Sequence, residues 1–373
     1  MTRENRTLLI QAALFITTVI TTTIAGAEWT YGRSVFMPGY TWSDFVSGFS
    51  FSIPFLLILT THELGHYFTA RYHSVSATLP FYIPIPPLPF SIGTMGALIR
   101  LREKVYSKRQ NFDIGISGPL AGFMMAVIVL VYGFTNLPEP SYIFEIHPEY
   151  EEYGLNYKDH VYNTASDKVI DVVVGQNLLF LFFEKYVADP ERMPNPHEIM
   201  HYPLLFAGFL SLVFTSINLL PIGQLDGGHV VYGLFGFKVH RVIATIAFIL
   251  LICYAGVGLI NIHDTTENLM LWIGGSLLFL YMALQGIGLP RNDTLMYAVL
   301  ILAALILLGA LFPNVKGTPI LILFVFILGR FIGIQHPPSE IEEPLDTKRI
   351  VLGWIALIIL VICFSPSPLE IGS

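Results

Sequence analysis

Apolar runs of about 20 residues recur along most of this chain, separated by shorter polar stretches. They fall at about 7–27, 47–70, 110–135, 204–220, 240–262, 268–289, 295–312, 317–335 and 349–365. Each predicts a helix that crosses a bilayer, because only a helix satisfies every backbone polar group within one segment in lipid. The fourth run is short and continues into PIGQLDGGH, where a proline and three glycines interrupt helical pairing, so a broken helix is expected there. No repeat of 20 to 50 residues and no low-complexity tract is visible. The pattern predicts an all-α polytopic membrane protein with about nine transmembrane helices.

Of the 373 residues 54% are hydrophobic and 13% charged. That is about half the charged content of an ordinary soluble chain, roughly 25%. The net charge of −7 matters less than where the charges lie. Arg3 and Arg6 precede the first run; Arg71, Arg100, Arg102, Lys104, Lys108 and Arg109 lie between the second and third; Lys238 and Arg241 follow the broken fourth, Arg291 the sixth, and Lys348 and Arg349 precede the ninth. All fall on one side if the amino terminus is cytoplasmic, as the positive-inside rule requires. The loop 136–203, rich in residues such as Glu145, Glu149, Glu151, Glu152, Asp159 and Asp167, then lies outside. No basic run is interleaved with aromatics, which excludes nucleic acid as a partner class.

The ending AGA at 25–27 also fits a cleaved signal peptide, but the run is long for one, and a retained span is expected. Cys253 and Cys363 both lie inside apolar runs and read as small buried residues, not as a disulfide or a thiolate cluster. In the outer loop, GQNLLFLFFEKYVAD at 175–189 is too short to span and predicts a short helix at the membrane surface.

Against this background THELGHYF, residues 61–68, stands out. Residues four apart on a helix lie one above the other, so His62 and His66 can offer two imidazole nitrogens to one zinc ion. Glu63 sits beside the first of them and can reach the attacking water as general base. The chemistry needs a continuous helix, which 47–70 supplies, with no proline after Pro54. A second HExxH, HEIMH at 197–201, is bracketed by Pro194, Pro196 and Pro203. It has little room for a helix and no neighbouring third ligand, so it reads as accidental, with His201 fixing the start of the next helix.

A third ligand is still required. Ionisable side chains within spans each cost at least about 2.5–3.5 kcal/mol at mid-membrane and therefore imply function. The candidate is Asp226 in SINLLPIGQLDGGH, with His229 as a rival. His62 and His66 precede Arg71 by about 8–14 Å of helix, and Asp226 precedes Lys238 by about 18 Å or less, so the two stretches reach overlapping depth. His73, His240 and His263 sit at span edges and read as solvated.

HELGH together with NLLPIGQLDGG resembles the site-2 protease family of intramembrane zinc metalloproteases. FYIPIPPLPFSIGTMGALIRL, ISGPLAGF, HYPLLFAGF and QHPPSE are similar to its branch of chloroplast gravitropism-deficient proteins and their prokaryotic relatives. The resemblance covers about 60–240 well and the later spans loosely. It implies one zinc ion per chain, held by His62, His66 and Asp226, with Glu63 activating water. It also implies a role for Asn218 in binding the substrate backbone or the oxyanion. The substrates it implies are transmembrane proteins or peptides, cut within or near their spans.

The stretch 79–100 carries prolines at 80, 84, 86, 87 and 89 and the turn-like GTMG, and it is similar to the family's re-entrant hairpin, whose edge could pair with an extended substrate. SGPLAG, 117–122, puts small residues on one helix face and predicts close helix packing. The chain divides into an N-terminal span and outer loop (1–46), a catalytic membrane core (47–239, including the outer loop 136–203) and additional C-terminal helices (240–373). The alternative is a non-proteolytic, transporter-like membrane protein with a structural metal site. The intact Glu63 argues against it.

Overall fold

The computed structural model describes residues 2–88, 91–162, 172–260, 262, 265–313, 315, 317–318 and 321–371. Pro89, Asp167 and His263 lie outside the described residues. The described residues are mostly helical, with two small antiparallel sheets. Among the described residues six helices are long and apolar enough to cross a membrane: Glu4–Tyr31, Trp42–Tyr72, Lys108–Thr135, Asp226–Gly256, Thr266–Ile287 and Arg291–Leu311. The other three apolar runs form the shorter helices Pro203–Asn218, Leu321–Ile332 and Thr347–Cys363. Two compact units emerge: residues 1–105, 116–218 and 355–373 form the first, and residues 106–115 and 219–354 the second.

In the first unit the helices Arg3–Tyr31 and Phe49–Tyr72 cross where small residues meet. A Cβ on Gly48 would lie 1.9 Å from the Thr23 carbonyl oxygen, so nothing larger fits. Buried Phe51, Phe55 and Phe206 continue the contact as an aromatic layer. After the second helix the chain turns into a hairpin, Phe81–Pro84 paired antiparallel with Thr94–Leu98, with Phe81 opposite Leu98 and Tyr82 opposite Ala97. The prolines that forbid helix here leave extended backbone as the alternative. Thr21 donates from Oγ1 to the Gly93 carbonyl at 2.7 Å, and the Tyr82 hydroxyl meets Thr60 Oγ1 at 2.7 Å. Gly93 has φ +81°, and a Cβ there would stand 2.4 Å from the Thr21 carbonyl oxygen, so both its conformation and its space require glycine.

The short helix expected within the loop 136–203 forms as Leu178–Tyr186, capped by Asn177, whose side chain accepts from the Phe180 N–H at 2.9 Å. Its buried Phe180 and Phe183 pack on Phe134, and Phe180 also meets Phe209; Leu178, Phe182 and Tyr186 face outward. The second sheet pairs Val172–Val174 with Leu369–Ile371.

In the second unit the broken segment is a tight turn. Ile222 donates to Leu220 at 2.8 Å, Leu225 to Ile222 at 3.1 Å, and Gly223, at φ +56°, to Ile334 at 2.8 Å. The helix Asp226–Gly256 follows, interrupted at Gly236 (φ 76°, ψ 174°). Phe248, Ile252, Leu284, Leu302 and Leu328 belong to the apolar core that gathers the later helices. The segment after them returns to residues 106–115. Arg349 grips Asp113 with two bonds of 2.6 and 2.7 Å, Lys108 approaches Glu342 at 3.5 Å, and Asn111 donates to Ser339 at 3.0 Å.

This return gives HPP at 336–338 a structural role. His336 is buried and stacks on Tyr232 at 4.1 Å; its Nδ1 donates to the Pro337 carbonyl, and its Nε2 accepts from His229 Nδ1 at 2.8 Å. Burial lowers the His336 pKa below the ordinary imidazole value and keeps it neutral. His240 departs from its expected solvated position. It is fully buried beside Tyr232 and His336, with neither ring nitrogen hydrogen-bonded among the described residues.

Candidate metal centre

The helix Phe49–Tyr72 runs unbroken through HELGH, which lets the four-residue spacing do its work. His62 and His66 are buried, and their Nε2 atoms face each other at 3.1 Å. Two nitrogens bound at about 2.0–2.1 Å to one tetrahedral ion would lie roughly 3.3–3.4 Å apart, so the pair is already spaced as zinc ligands. The rings stand nearly perpendicular at 73°, with centroids 4.8 Å apart.

The neighbouring helix leaves room at this point. A Cβ on Gly118 would lie 2.1 Å from His66 Nε2, and one on Gly122 would lie 3.0 Å from the His62 Cβ. Conversely, a Cβ on Gly65 would stand 2.6 Å from the Ser117 carbonyl oxygen. The small residues of SGPLAG thus bring one backbone directly against the face that carries the histidines. The space beside the His66 Nε2 atom exists only because Gly118 has no side chain. Donor chemistry, donor spacing and this cradle all fit a zinc ion.

Glu63 is buried and, with His62, lines a cavity of about 100 Å³. Asn218, the last residue of the helix Pro203–Asn218, lines the same cavity, so three of the expected site residues share one chamber. Several water molecules fit in this volume. Its opposite wall is the hairpin strand, through Thr94, Met95, Gly96 and Ala97. Among the described residues that strand pairs with a neighbour on one side only.

Ser211 and Thr215 also line it and were not singled out from the sequence. With Asn218 they form a polar stripe at spacings of four and three on a helix that is apolar apart from these residues and Ser216. That spacing was a readable signal. Ser211 donates to the Ala207 carbonyl at 2.7 Å and Thr215 to that of Ser211 at 2.8 Å, which satisfies both hydroxyl protons within the helix.

Asp226 lies in the second unit as the first residue of the helix Asp226–Gly256, half-buried. Gly227 and Gly228 follow it with no space for side chains, since a Cβ on either would lie 1.8 or 2.2 Å from the carbonyl oxygens of Leu219 or Gly223. The first turn of this helix is therefore packed against backbone that leaves no room for side chains. His229, the rival ligand, spends its Nδ1 proton on His336. HEIMH is not an α-helix: only Ile199–His201 is helical, as a 3₁₀ turn.

A family model described as Peptidase family M50 matches residues 50–257. A probable zinc metalloprotease EGY1, chloroplastic, of Oryza sativa subsp. japonica is 29% identical over 182 residues, which is 48% of this chain and 27% of the relative. A probable zinc metalloprotease EGY3, chloroplastic, of Oryza sativa subsp. indica is 27% identical over 322 residues, 79% of this chain and 48% of the relative. The chain thus spans about a quarter to a half of the length of these curated relatives. No solved structure gives a significant match.

Proposed function

The chain belongs to peptidase family M50, the site-2 protease family, and from that premise we propose that it is an intramembrane zinc metalloprotease, hydrolysing peptide bonds within or near the transmembrane segments of membrane-protein substrates. The observation that carries the proposal is the facing of the His62 and His66 Nε2 atoms at 3.1 Å beside the chamber that Glu63 and Asn218 line.

One zinc ion per chain would be held by His62, His66 and Asp226. The match of the family model from 50 to 257 supports this set, since it embraces both HELGH and LDGG. When bound, zinc acts as a Lewis acid that polarises the scissile carbonyl and makes water acidic enough to lose a proton near neutral pH. The Glu63 carboxylate takes that proton and returns it to the leaving amine. Asn218 offers its side-chain amide to the substrate backbone or to the oxyanion.

A substrate helix hides its carbonyls in its own hydrogen bonds, so it must become extended before it is cut. The Thr94–Leu98 strand, lining the chamber with one edge unpaired, suits an added substrate strand. The hairpin would be re-entrant, dipping into the bilayer beside the HELGH helix.

Nine spans, with Pro203–Asn218, Leu321–Ile332 and Thr347–Cys363 joining the six longer helices, suit the placement of basic residues and a cytoplasmic amino terminus. The active site would then open towards the cytoplasm. By function the chain divides into residues 1–46, a catalytic core 47–239 and the helices of 240–373.

The test is cleavage of a library of single-span peptides by the purified full chain in proteoliposomes, with and without a chelator. Cleavage that the chelator stops and added zinc restores is expected. A chain that binds zinc at HELGH yet cuts no member of the library would favour the transporter-like alternative.

A further inference from the structure

We propose that His147, Glu198 and His201 form a second divalent-metal site, taking zinc or a similar borderline cation, in the outer loop of the first unit. One ligand atom from each of the three lies within 4.8 Å of the others. His147 Nε2 and His201 Nε2 are 3.2 Å apart, and His201 Nε2 is 3.5 Å from Glu198 Oε2. Both spacings match the edge of a zinc tetrahedron, roughly 3.3–3.4 Å. The HELGH pair shows nearly the same separation, at 3.1 Å.

The outer partners decide what these contacts are. His201 Nδ1 lies 2.7 Å from the Thr30 carbonyl oxygen, which can only accept, so the Nδ1 carries a proton and the neutral ring presents a lone pair at Nε2. Thr30 belongs to the last turn of its helix, where carbonyls lack intrahelical donors, so the bond also satisfies the helix end. His147 Nδ1 lies 2.9 Å from Glu149 Oε1, another acceptor, so a proton on Nδ1 leaves Nε2 as the inward-facing ring atom. The Tyr162 hydroxyl donates to Glu198 Oε1 and leaves Oε2 as the inner atom. Two imidazole Nε2 atoms and a carboxylate oxygen therefore converge at one place, a donor set that suits a divalent cation.

Every ligand is thus oriented by an outer hydrogen bond, which is how metal-binding histidines are held in general. Glu198 and His201 are buried while the His147 side chain is 27% exposed, so a cation has a path in and a place for water. The ligands come from two segments far apart in sequence, and His201 leans on a third. A bound ion would tie the loop around 147 to the start of the helix Pro203–Asn218 and to the end of Arg3–Tyr31. With Glu198 as a ligand, no carboxylate of HEIMH is left as a base, so the role is to staple the loop and not to cut.

The competing arrangement is an imidazolium at His147 or His201 that places a proton in these same gaps. The full chain carrying His62→Ala and His66→Ala, purified and stripped by chelator, separates the two. After zinc loading and desalting, about one equivalent should remain, and cobalt(II) should give the visible absorption of a tetrahedral site. Adding His147→Ala or Glu198→Gln should weaken binding by more than the ~10–100-fold that loss of an outer partner costs. His147→Cys should retain the ion and add a thiolate-to-cobalt charge-transfer band, which a misfolded loop could not do. A background protein that keeps no zinc, or zinc retention indifferent to both His147→Ala and Glu198→Gln, would overturn the site and leave the imidazolium.

Discussion

Gly118 stands so close to His66 that a single added methyl group would lie 2.1 Å from the Nε2 of its imidazole. The space for a metal beside the HELGH helix is thus made by the absence of a side chain on a different helix. Gly118→Ala should expel zinc or swing the His66 ring out of line, with an overpacking cost of about 1–3 kcal/mol. Metal content should fall well below that of the parent while the helical circular dichroism stays unchanged. Full zinc occupancy in the variant would show that the ring has a second position.

Glu63→Gln removes a base and leaves a similar shape. Zinc content should hold, and single-turnover cleavage of a one-span reporter should fall by about 10²–10⁴-fold, the usual share of general acid–base catalysis. An undiminished rate in the purified variant would remove Glu63 from the chemistry.

Asp226→Ala tests the third ligand. Bound zinc should drop while His62 and His66 remain in place, and the residual ion should exchange faster in a chelator competition. Unchanged affinity would point instead to another donor, with His229 the first to substitute.

Asn218→Ala should leave metal content intact and lower kcat, by about 10²–10³-fold if the amide serves the oxyanion. A change confined to KM would assign Asn218 to substrate binding alone.

Tyr232→Phe addresses the second unit. The Tyr232 hydroxyl accepts from the Ser339 N–H at 2.7 Å and donates to Glu342. Its loss removes the acceptor of the Ser339 N–H and one of the partners of Glu342, and should destabilise the fold by about 1–3 kcal/mol, read as a lower Tm. An unaltered melting curve would mean that the 335–346 segment is anchored by Arg349 and Lys108 without it.

Much of this molecule was legible residue by residue. The apolar runs are long enough to mark helices without any partner, and HELGH carries its own geometry because four residues make nearly one helical turn. The outer-loop helix was readable for the same reason, its Phe180 and Phe183 being three apart. Other features resisted. Ser211 and Thr215 hide in the fourth run because their hydroxyls bond back to their own helix and hydropathy barely registers them. His240 reads as an edge residue from its neighbours Lys238 and Arg241, yet it is buried by Tyr232 and His336.

HEIMH shows most plainly where local reading stops. Its prolines deny it an α-helix, but a further donor reaches it from a distant part of the chain. His147 lies 54 positions away from His201 and still reaches it at 3.2 Å. Periodicity, composition and short spacing are carried by covalent neighbours, so helices and the HELGH pair can be written down in advance. Which distant side chains share a chamber, which glycine makes room for an imidazole and which loop supplies another histidine all depend on how the segments pack in three dimensions. No single segment encodes that packing.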